Sequence, residues 1–217
     1  MKKTIVVFVL LFLLSNFSNA QIYKGFGVKV GTSIAGNISA IGDYGEPIYK
    51  YGLTAGIFRE TPLFEKLSLV IGVNYTEKGN INRVNYTDEI GNTSKKDLKT
   101  YSNFINLEVL AKYGGNQEKL SPYVLAGGRM DIFTSGKITY EGNPIFLEYY
   151  PYRVTTNKTF GATVGAGLNF KPSKNLSLFV EGTYNPDFTN LGDYDNGYGF
   201  NYTVRNYNFE IKTGIKF

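Results

Sequence analysis

The chain has 217 residues, with 23 Lys and Arg against 18 Asp and Glu for a formal charge of +5, and it contains neither histidine nor cysteine. Those two absences exclude disulfides, thiolate nucleophiles, Cys-ligated metals and the histidine-dependent acid–base and zinc-hydrolase sites. Twenty-five glycines, 18 tyrosines and 16 phenylalanines with no tryptophan favour strands and turns, and so modest a charge points away from nucleic acid.

Residues 1–20 read as a secretory signal peptide: Lys2 and Lys3, an apolar run from Thr4 to Leu14, then Ser18-Asn19-Ala20 ahead of cleavage before Gln21. The apolar run, about eleven residues, spans roughly half of the ~30 Å hydrocarbon core, which argues against a helical anchor. Cleavage removes two lysines, takes the charge to +3, and leaves residues 21–217 as one domain. The remaining sequence has no apolar run long enough to cross as a helix, so a membrane protein of this sequence has to be a barrel.

Eight segments with apolar side chains at every second position follow, near 25–36, 51–60, 67–77, 101–113, 122–133, 159–170, 176–185 and 204–217. The last is the clearest: Tyr207, Phe209, Ile211, Thr213, Ile215 and Phe217 share one face, and Asn208, Glu210, Lys212, Gly214 and Lys216 the other. Short links (Thr61 to Lys66, Gly114 to Ser121, Lys171 to Asn175) alternate with long ones (37–50, 78–100, 134–158, 186–203). That alternation is the pattern of periplasmic turns and external loops in an outer-membrane barrel. The expected fold is therefore all-β, an eight-stranded antiparallel up-and-down transmembrane β-barrel in the bacterial outer membrane, with membrane lipid as its first partner.

Aromatic residues collect at both ends of the apolar stripes, as a membrane girdle requires. Tyr51, Tyr75, Tyr101, Phe160, Tyr184 and Tyr207 fall at the outer ends and Tyr113, Phe170 and Phe217 at the inner ends. The opposite faces then point inward and carry Lys29, Glu108, Lys112, Arg129, Asp131, Glu181, Glu210 and Lys212. Enclosed charges have to pair or hydrate; Glu108 is expected near Arg129, and Glu210 near Lys29. Because the interior of an eight-stranded barrel is just filled by side chains, these charges read as a plug rather than a pore.

No catalytic, cofactor or metal site emerges. Asp193-Tyr194-Asp195-Asn196-Gly197 departs from calcium-loop spacing and reads as a turn. Gly161, Gly165 and Gly167 alternate within a strand, where small inward residues let a tight barrel pack, and no helix follows them to complete a phosphate-binding loop. The long links are richer in Tyr149, Tyr150, Tyr152, Tyr194 and Tyr198, adaptable contact residues of the kind found on binding surfaces.

Gly27-Val28-Lys29-Val30-Gly31, the run Ile105-Asn106-Leu107-Glu108-Val109-Leu110-Ala111-Lys112-Tyr113 and Pro122-Tyr123-Val124-Leu125-Ala126-Gly127-Gly128 resemble the PorT-like outer-membrane β-barrel family of Bacteroidetes. More distantly they resemble the small OmpA- and OmpX-type barrels. Val109 departs from the commoner pattern, in which proline follows the glutamate. The resemblance implies a barrel, one branch being linked to protein secretion and gliding, and Phe217 resembles the terminal aromatic that barrel-assembly machinery recognises. Three functions follow as expectations: a non-enzymatic surface barrel whose loops bind an extracellular or envelope partner, a secretion accessory, and a soluble periplasmic lipocalin-type barrel.

Overall fold

The computed structural model describes residues 25–39, 46–87, 90–115, 119–140, 143–145, 152–153, 157–173, 175–190, 192–195 and 201–217. The signal peptide, Tyr149, Tyr150 and Tyr198 lie outside the described residues. The strands in chain order are β1 (Phe26–Ser39), β2 (Glu46–Pro62), β3 (Leu67–Thr87), β4 (Thr93–Gly114), β5 (Leu120–Tyr140), β6 (Asn143–Ile145), β7 (Tyr152–Arg153), β8 (Lys158–Ser173), β9 (Leu176–Pro186), β10 (Gly192–Asp195) and β11 (Asn201–Lys216). Eight of them, β1–β5, β8, β9 and β11, form the wall, each antiparallel to the next. Pairing of β1 with β11 from Gly27↔Lys216 to Ser39↔Val204 closes the cylinder.

The burial pattern is inverted relative to a soluble protein. Val28, Ile57, Val109, Val180 and Ile211 are about half exposed, while Ser33, Thr76, Thr163 and Asn208 are fully buried. Leaving a large aliphatic side chain in water forgoes ~1.5–3 kcal/mol, so this surface is stable only against hydrocarbon. A lipocalin-type barrel, which would turn its polar face to water, is excluded by that arrangement.

Each wall strand contains its expected segment to within one residue, and four run five or more residues further at the outer end. β2 begins at Glu46, β3 continues to Thr87, β4 begins at Thr93 and β5 continues to Tyr140. Pairing of β3 with β4 is unbroken from Leu67↔Tyr113 to Thr87↔Thr93, so most of the link expected at 78–100 is paired strand. The physical reason lies in the solvent: outside the bilayer neither face has to be apolar. Asn80, Arg83, Lys96 and Asp97 thus erase the alternation while the backbone ladder continues. Likewise, Asp193 to Asp195, expected as a turn, belong to β10 and pair with β11.

Inside, the periplasmic half is packed by Phe58, Val70, Leu110, Tyr123, Leu125 and Phe179. Three of these rings lie over glycines of the neighbouring strand: Phe58 on Gly27, Phe179 on Gly214 and Tyr123 on Gly167, where a Cβ would stand 2.5 Å from the Tyr123 hydroxyl. Glycine at these positions lets a large ring lie flat against backbone in a narrow lumen. Phe58 and Phe179 then meet edge to face at 5.5 Å between centroids, a favoured aromatic geometry.

Candidate functional site

Two regions can carry function, the enclosed interior and the sheet standing outside the membrane. The interior is filled by ion pairs in three tiers. Nearest the outer end, Lys78 from β3 contacts Asp131 of β5 at 2.5 Å and Asp187, just past β9, at 3.5 Å. Arg129 bridges the same two carboxylates, with its Nε 3.2 Å from Asp131. Asn106 donates to Asp131, and the Lys78 ammonium lies 5.0 Å from the Phe104 centroid.

The middle tier pairs Lys29 with Glu108 and sets Lys212 between Glu210 at 2.9 Å and Glu181 at 3.3 Å. Thr76 and Asn208 also donate to Glu210, at 3.3 and 2.8 Å. In the periplasmic tier Glu60 accepts from Lys112 at 3.0 Å and Lys216 at 2.7 Å, and the Tyr123 hydroxyl donates to Glu181 at 3.1 Å. Thus Lys29, Lys78, Lys112, Arg129, Lys212 and Lys216 balance Glu60, Glu108, Asp131, Glu181, Asp187 and Glu210. A cavity of about 20 Å³ between Phe58, Tyr123 and Phe179 remains, room for about one water.

All eight interior charges named from the sequence are buried in this network. Glu108 and Arg129 are register partners across β4 and β5, yet their ion pairs run elsewhere, Glu108 to Lys29 and Arg129 to the two aspartates. Glu210, expected near Lys29, pairs with Lys212 of its own strand. The correction has a simple cause: side chains two apart on one strand share a face, and Lys212 meets Glu210 without crossing the lumen.

Four members of the network, Glu60, Lys78, Asp187 and Lys216, were not among the expected interior charges, although Lys216 was already on the inward face of the last strand. Lys78 and Asp187 lie beyond the expected strand ends, and Glu60 shares its inward face with apolar Phe58, which disguised the alternation. Among the described residues no group of three or more His, Cys, Asp or Glu could hold a metal ion.

On the outside, Tyr51, Tyr113, Phe160, Phe170 and Phe217 are exposed, and Tyr75, Tyr101, Tyr184 and Tyr207 half-buried on the same outward face. Tyr207 crosses Gly36 of β1 to meet Tyr49 of β2, centroids 6.4 Å apart, and packs on Tyr184 at 6.5 Å. Above this level β10 pairs with both β11 and β7, bringing Tyr152 and Tyr194 into register. Links expected as separate loops are therefore joined by backbone.

The outer membrane protein beta-barrel domain model matches residues 16–193. The chain belongs to this family. Its fold and family place it in the bacterial outer membrane. Among solved structures, Neisserial surface protein A is 18% identical, over 89% of this chain and 98% of that one, with a TM-score of 0.45. OprG from Pseudomonas aeruginosa is 13% identical over 90% and 97%, with a TM-score of 0.44. Ail of Yersinia pestis is 14% identical over 88% and 99%, with a TM-score of 0.35. Comparison with curated proteins yields no match.

Proposed function

We propose that this outer-membrane barrel is a non-enzymatic display scaffold whose outer sheet binds an extracellular or envelope partner. The observation that carries the reading is the continuation of β2, β3, β4 and β5 as a paired sheet beyond the girdle, while ion pairs and rings fill the lumen. From Gly79 to Thr87, at ~3.3 Å per residue, β3 alone stands roughly 25 Å of strand above Tyr101. A sheet of that reach is a preorganised surface and binds without the ordering cost of a free loop. The outward ring of Phe217 serves, in the same reading, as the contact for barrel-assembly machinery.

The test shortens the β3–β4 hairpin by replacing residues 80–100 with an Asn-Gly turn between the register partners Gly79 and Tyr101 and measures surface binding on whole cells. Heat-modifiability on a gel reports the barrel. An intact barrel with lost binding supports the proposal; unchanged binding refutes it. Loss of protein secretion with binding retained would favour the secretion-accessory role that the PorT-like resemblance suggests.

A further inference from the structure

The inward face of β8 and β9 carries a break in the packing. Register sets Gly167 opposite Glu181 and Asn169 opposite Phe179, so Asn169 and Glu181 are diagonal neighbours, with Cα atoms ~7–8 Å apart. Both line the cavity of about 20 Å³ in the periplasmic half. The Asn169 Nδ2 donates to the Gly115 carbonyl at 2.9 Å, and a carbonyl can only accept, so the amide is fixed with Oδ1 on its other side. Gly115 has φ of +78°, and a Cβ there would stand 2.7 Å from that Nδ2, so glycine alone admits the amide this close.

Among the side chains that line the cavity, two buried oxygens accept no hydrogen bond, Asn169 Oδ1 and Glu181 Oε1. Asn169 is 1% exposed and Glu181 6%, and a buried acceptor left unmade is costly. Neighbouring donors are committed. The single Tyr123 hydroxyl proton goes to Glu181 Oε2 at 3.1 Å, Lys216 bonds Glu60 at 2.7 Å, and Lys29 bonds Glu108. Lys212 faces Glu181 Oε1 from 3.3 Å, an ion pair without a hydrogen bond. Neither oxygen can donate to the other, so the two need a small donor between them. Lys112 bonds Glu60 at 3.0 Å, has N–H groups beyond that one, and lays its Cε against the same Gly115. The six interior cations already match six carboxylates, so a neutral molecule keeps the balance and an added ion does not.

We propose that Asn169 Oδ1 and Glu181 Oε1 hold one ordered water in this cavity, which donates a hydrogen to each and accepts from Lys112. The volume admits about one water, and three polar partners are what a buried water ordinarily has. Through it the turn at Gly115 is joined to Glu181, Lys212 and Glu210, so the periplasmic end and the middle of the network form one connected unit. The site is independent of whether the outer sheet binds a partner.

A crystal structure of the full chain at a resolution that shows waters is the direct test. The expected result is a single peak of water size within hydrogen-bond distance of both oxygens. An empty cavity, or Lys112 donating directly to Asn169, overturns the proposal. So does an anomalous peak at the site after soaking with rubidium, which would mark a monovalent cation. Oxygen-17 relaxation dispersion in detergent, which counts waters held for longer than nanoseconds, should find one fewer in Asn169→Leu than in wild type. An unchanged count overturns the site. If Asn169→Leu fails to shift on a heat-modifiability gel, the wild-type density decides alone.

Discussion

Strand β3 carries two ion pairs that differ in almost everything except chemistry. Lys78 and its partner Asp131 are 0% and 1% exposed inside the barrel, whereas Arg83 and Asp97 are 38% and 32% exposed on the outer hairpin. The first pair has no water to fall back on, so each member needs the other. The second is screened and contributes little to the stability of the barrel as a whole. Two neighbouring stretches of one strand thus differ in role: the buried stretch around Lys78 helps fix the filled cylinder, and the exposed stretch that begins a few residues further on is free to vary its surface.

The largest expected effect comes from breaking the buried pair. Lys78→Met leaves Asp131 and Asp187 with Arg129 as their shared cation and should cost about 3–5 kcal/mol. It would be read from the urea midpoint of the heat-modifiable form in lipid vesicles. Arg83→Met should leave that midpoint unchanged. Equal shifts for the two variants would end the contrast. A double-mutant cycle on Lys78 and Asp131 should show strong coupling, and one on Arg83 and Asp97 little.

Next in size is the aromatic packing of the periplasmic half. Gly214→Val would drive a side chain into Phe179 and the Val28 carbonyl, an overpacking cost of about 1–3 kcal/mol. Gly128 faces outward with nothing within 4 Å of its absent Cβ, so Gly128→Val should be tolerated. Similar losses at both glycines would show that backbone conformation matters here and ring contact does not.

These contrasts also explain what was legible in the sequence. Lipid forces alternation, and wherever a strand crosses the bilayer the pattern survives, as in Ile105 to Ala111 against Asn106 to Lys112. Adjacent apolar residues such as Ile57 and Phe58, Val70 and Ile71, or Val109 and Leu110 hid the inward ring cluster, because lipid and lumen both accept them. Outside the membrane nothing enforces a period, so the strand extensions carrying Arg83 and Asp97 read as loop. Partner choice among the charges was hidden for another reason. Long Lys and Arg side chains reach several carboxylates in a narrow lumen, and register alone does not choose between them.

The smallest effect is the most local. A hydrogen bond from Arg83, at 2.9 Å, holds the Asp97 carboxyl below its ordinary value, with the Arg83 and Lys99 charges assisting against partial desolvation. A depressed folded value means the ionised carboxylate favours the paired hairpin. That contribution is complete above the ordinary carboxylate pKa of ~3.9 and is lost as pH falls through the depressed value. Neutral and mildly acidic conditions therefore leave the hairpin untouched, and its outer register pairs should open only in the acid range below about pH 4. A carboxyl carbon titration by NMR in micelles, with amide exchange at Arg83 and Asp97, would follow both events. Arg83→Gln should return Asp97 to the ordinary value and remove the acid dependence of exchange. If Asp97 titrates at the ordinary value with Arg83 present, the exposed pair is not formed in solution and the outer sheet holds together by its backbone ladder alone.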